Sequence, residues 1–127
     1  MRKFILDTDW WTDCDDAVAL RLLTRAVKEK KIELVGIVLN GCMEYSVASI
    51  NGFLKADGIE NIPIGIDLAA NDFGGKPPYQ KRLAESFCPD VSNSDAEDAV
   101  SLYRRILAES TEPIEIVEIG YMQAIAK

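Results

Sequence analysis

The stretch Phe4-Ile5-Leu6-Asp7-Thr8-Asp9, with Asp15-Asp16-Ala17-Val18-Ala19-Leu20 close behind it, decides how the rest of the chain is read. Lys3–Leu6 is a short apolar run of the kind that forms a strand buried on both faces. From Asp15 to Lys31 the pattern changes period: Ala19, Leu22, Leu23 and Ala26 recur at i, i+3, i+4 and i+7, which predicts one apolar face of a helix. Between strand and helix lie five carboxylates, Asp7, Asp9, Asp13, Asp15 and Asp16, within ten residues. A buried strand that runs through an acidic turn into a helix is the first half of a βαβ unit.

Outward from there the alternation repeats. Leu34–Leu39 predicts a second buried strand, and Tyr45–Ala56 a helix that turns Val47, Ile50 and Leu54 inward. Gly58 stands where a left-handed residue closes a helix. Ile62–Ile66 predicts a third strand, with Pro63 tolerable near its start. Asp67–Asn93 reads as a long irregular stretch, broken by Gly74-Gly75 and Pro77-Pro78, with room for a short helix over Tyr79–Phe87. Asn71, Asp72 and Tyr79 are assigned to a solvated loop rather than to a lid. Ser94 followed by Glu97 has the form of a capping box for a helix with Ala99, Leu102, Tyr103 and Ile106 on its inner face. Ile114–Ile119 predicts a fourth strand, Gly120 a turn, and Tyr121–Lys127 the start of another helix. This order implies a single α/β domain over residues 1–127, an open parallel sheet with helices on both faces. A last helix of about two turns is too short to stand alone. The expectation is therefore a Rossmann-like sheet cut short after its fourth strand.

Bulk composition narrows the chemistry. No apolar run approaches the ~20 residues of a membrane span, and the start at Met1 leaves no room for a signal peptide. A cytoplasmic protein is expected, or a secreted one if a signal has been removed. The net charge of −7 disfavours nucleic acid and suits a cation or a neutral polyol. Cys14, Cys42 and Cys88 are expected to be free thiols. The chain has no histidine, so a histidine triad or a zinc site is excluded within these residues.

Ligands of open parallel sheets bind beyond the carboxyl ends of the strands. The five aspartates fall there. Helix capping explains one or two of them, Asp13 and Asp15 being the natural choices. Crowding the others together costs repulsion that a hard cation relieves, calcium with six to eight oxygen ligands or magnesium with six. The cluster alone does not choose between these two.

The same residues resemble the signature of the inosine-uridine preferring nucleoside hydrolase family: an apolar strand, Asp-x-Asp, Pro-Gly-x, Asp-Asp, then a helix of small and apolar residues. Leu39-Asn40-Gly41 is similar to that family's ribose-contacting asparagine after the second strand, Ile62–Ile66 to its Val-Pro-Val strand, and Ile114–Ala126 to its fourth strand and Gly-x-Leu-Thr-Asn-Leu-Ala turn. The resemblance spans nearly all of the chain and the first part of a typical family member. It implies calcium-dependent hydrolysis of the N-ribosyl bond of nucleosides, a purine and pyrimidine salvage reaction. It implies Asp9 as metal ligand and base, Asp16 as second calcium ligand, and the Ile119 carbonyl as main-chain ligand. It implies Asp15 and Asn40 on the ribose, with Asp7 in support. A further aspartate ligand and an acid for the leaving base come from the family's later half, so these 127 residues alone are expected to lack turnover.

The chain departs from the pattern in three places. Trp10–Cys14 replaces the three-residue Pro-Gly-x with five residues, Ala124 stands at the turn asparagine, and the loop histidine of many members is missing. The longer connection should bulge, with Asp13 capping the helix and Trp10 or Trp11 projecting toward the ligand; the two tryptophans could equally plug the core. Other readings stay open: a non-catalytic sugar- or nucleoside-binding relative, a haloacid dehalogenase-type phosphatase, or a receiver domain with Asp67 after its third strand. Glu115 and Glu118 point to opposite faces of their strand, and Glu118 is read either as a site residue or, by preference, as lying on a poorly covered sheet face. Homo-oligomerisation is left open.

Overall fold

The computed structural model describes residues 1–11, 14–70 and 78–127, the side chain of residue 78 excepted. The described elements, in chain order, are β1 (Arg2–Thr8), α1 (Asp15–Lys28), β2 (Ile32–Leu39), α2 (Ser46–Ala56), β3 (Ile64–Ile66) and α3 (Pro78–Phe87). A 3₁₀ turn at Asn93–Asp95 follows, then β4 (Glu97–Asp98), α4 (Ala99–Glu109) and β5 (Ile114–Glu118). All strand pairs are parallel and the sheet order is β4-β3-β2-β1-β5. The chain thus steps outward from β1 through β2 and β3 to β4, then returns to lay β5 against the other side of β1. That reversal makes the carboxyl ends of β1 and β5 the switch point of a Rossmann-like sheet, where such folds open a crevice.

Side-chain alternation along the strands builds two cores. Leu6 and Leu39 face α1 and α2, packing with Leu20, Val47, Ile50 and Leu54. Their neighbours Ile5 and Val38 face the opposite way, onto Ala99, Leu102, Tyr103 and Ile106 of α4. Helices therefore cover both faces, as the alternating pattern implies.

Several boundaries differ from those expected. β1 runs on through Asp7 and Thr8, so these residues end the strand rather than follow it. β3 begins at Ile64, because Pro63 has no N–H to give to the ladder, although its carbonyl still accepts from Ile37 N at 2.9 Å. α1 rotates its Asp16, Leu20 and Thr24 edge inward, which leaves Leu22 65% exposed.

Among the described residues the sheet has five strands rather than four. The helix expected from Ser94 starts only at Ala99, because Asp98 is the N-cap, its Oδ2 accepting from Ser101 N at 2.9 Å. Ser92 and Asp95 close the preceding 3₁₀ turn, with Ser92 N donating to Asp95 Oδ2 at 2.7 Å. The segment between these two caps is extended and pairs with β3 as β4. No helix forms over Tyr121–Lys127, where the chain makes turns and Met122 has φ 58°.

Candidate functional site at the switch point

Asp7 and Glu118 are register partners on the adjacent strands β1 and β5. Their side chains lie on the same face as Tyr103 of α4, whose hydroxyl donates to Asp7 Oδ2 at 2.6 Å. Asn40, directly after β2, donates its Nδ2 to Asp7 Oδ1 (2.6 Å) and to Glu118 Oε1 (3.0 Å). Both amide hydrogens of this fully buried asparagine are thereby used. Its Oδ1 accepts from Tyr121 N at 3.3 Å. Burial pushes the Asp7 carboxyl up to about 6; the Tyr103 bond pulls it down, the Glu118 charge adds to the rise, and the Asn40 bond opposes it. Burial also pushes the Tyr103 hydroxyl well above its ordinary range, helped by its bond to Asp7.

On the other face, the Thr8 hydroxyl donates to Asp16 Oδ1 and accepts from Trp10 N at 3.0 Å. Thr8 thus ties the first turn of α1 to the end of β1. Asp9 follows at the strand tip, with Oδ1 accepting from Trp11 N at 3.2 Å. Asp7, Asp9 and Asp16 are respectively 0%, 8% and 2% exposed, so three carboxylates are buried within one strand end and the helix start beside it. Gly41 brings the loop after β2 against Asp9: a Cβ there would lie 2.6 Å from the Asp9 carbonyl oxygen.

Trp10 does not project toward a ligand. It is fully buried at φ 55°, with Nε1 donating to Ser49 Oγ at 2.8 Å and its ring edge-on to Phe53 and Tyr79. A buried indole needs a partner for its N–H, and Ser49 supplies one, so the core is where this side chain is best satisfied. Gln80 donates to the Trp10 carbonyl and Tyr79 to that of Trp11, which is half-buried. The tryptophan pair therefore binds the acidic turn to α2 and α3. Asp15 is exposed in the first turn of α1, where its charge meets the helix dipole. The helix is capped by Cys14 without a side-chain bond. Asp13, expected as the cap, lies outside the described residues.

Glu118, Tyr103 and Thr8 join the site without having been marked by the aspartate motif. Glu118 Oε1 accepts from Gly120 N (2.9 Å) and Met122 N (3.0 Å) as well as from Asn40. Its alternation with Ile119 was the available signal, since it sets Glu118 on the face of Asp7 rather than on that of Thr8. Ile119 N donates to the Asp7 carbonyl at 2.9 Å. Asp67, the residue a receiver domain would use, is buried and bonded to Lys127.

Among the described residues no group of three or more His, Cys, Asp or Glu side chains converges on one point. Asp9 and Asp16 are two buried carboxylates, and the Ile119 carbonyl would add a main-chain oxygen, not a side chain. All are hard oxygen donors, the chemistry that calcium or magnesium selects and a soft metal does not. A surface cleft of about 620 Å³ opens at the opposite, amino ends of the strands, between Lys3, Glu33, Asn61 and Ile114. Its lining mixes Lys3, Lys30 and Arg105 with Glu33 and Glu109 and converges on no single chemistry. Among the described residues no helix is long and apolar enough to cross a membrane. No protein-family model, curated protein or solved structure matches the chain.

Proposed function

We propose that the protein is a nucleoside hydrolase-type enzyme that cleaves the N-ribosyl bond of a nucleoside, with calcium bound by Asp9, Asp16 and the Ile119 carbonyl. The observation that carries this reading is the burial of Asp7, Asp9 and Asp16 together at the switch-point end of β1, beside Asn40. Carboxylates taken from water in such numbers need protons, donors or a cation.

In this reading Asp9 accepts the proton of the attacking water as the water adds to the ribose anomeric carbon and the base departs with the bonding electrons. The sugar passes through an oxocarbenium-like state, which nearby carboxylate charge stabilises. Calcium, when bound, supplies a template for the ribose diol and makes water more acidic. Asp16 is held for its ligand role by the Thr8 hydroxyl. Asp7 and Asn40 stiffen the strand ends, Asn40 having spent both amide hydrogens on carboxylates. Asp15 is exposed at the helix start, and in this reading it meets a ribose hydroxyl. The expected partner is a small riboside, and the expected location the cytoplasm.

A receiver domain is disfavoured by topology: β1 sits between β2 and β5, whereas the 2-1-3-4-5 order puts the first strand between the second and third. The test is release of base from inosine, uridine and a nitrophenyl riboside by the full gene product, with calcium and then with a chelator. Release that requires calcium and is lost in Asp9→Ala supports the reading. Calcium binding with no release from any riboside would instead make the protein a binding relative.

A further inference from the structure

We draw no further inference here: the strongest candidate, the outer edge of the half-buried strand β5, which among the described residues pairs with β1 alone, is an unpartnered sheet edge, and nothing in the structure shows what covers it.

Discussion

Asp7 and Glu118 face each other across the β1–β5 ladder, and one amide nitrogen, Asn40 Nδ2, donates to both. Two like charges in register repel. The structure answers with donors: Asn40 between them, Tyr103 on the far oxygen of Asp7, and two backbone N–H groups on Glu118. Burial first, and the Glu118 charge to a lesser degree, still push the Asp7 carboxyl up to about 6.

That titration has a definite sign. The Asp7 carboxyl is raised above its unfolded value, so the folded state holds its proton longer than the unfolded chain does. The corresponding stability is present below about pH 4 and is lost as pH rises through about 6. Asp7→Asn, which cannot ionise, should flatten this part of the profile. Denaturant unfolding of both proteins in chelator, from pH 4 to 7.5, should show wild type losing up to roughly 3 kcal/mol relative to the variant. Parallel profiles would mean that Asp7 is not the group responsible.

Trp10 and Trp11 should separate cleanly. Trp10 is fully buried against Phe53 and Tyr79, and its truncation leaves a cavity and removes the indole N–H that Ser49 Oγ accepts. Trp10→Ala should cost about 3–5 kcal/mol of unfolding free energy. Trp11→Ala, at a half-buried position, should cost well under half as much. Similar losses in urea titrations would contradict the core assignment of Trp10.

The start of α4 rests on a single cap. Asp98→Ala should destabilise the protein by about 0.5–2 kcal/mol, and Ser94→Ala by less than about 0.5 kcal/mol. The hydrogen bond from Ser101 N holds the Asp98 carboxyl below its usual range, so the wild-type advantage should fade as pH drops below about 4. Thermal melts of the two variants at pH 7 and pH 3 measure this directly.

What was legible in the sequence was the part governed by local period. The runs around Ile5, Val38 and Ile64 read as strands, and the Ala99, Leu102, Tyr103, Ile106 spacing marks the buried face of α4. The rotation of α1 was not legible: its apolar residues permit two faces, and the buried Asp16–Thr8 bond selects the one that leaves Leu22 outside. The helix start read at Ser94 lies instead at the Asp98 cap, because Glu97–Asp98 pairs with β3, a contact the local pattern does not carry. Asp7, Asp9 and Asp16 stood out as a cluster because they are close in sequence. Glu118 did not, because its partner Asn40 is 78 residues away and meets it only once β1 lies between their strands.

The most direct measurement is calcium affinity in the full-length protein and in its Asp9→Ala and Asp16→Ala variants, by calorimetry at neutral pH. Each substitution removes a charged oxygen from an ion that takes six to eight, and affinity should fall by more than about tenfold in both. Calcium binding unchanged in both variants would contradict the assignment of this cluster as the metal site, and with it the reaction proposed here.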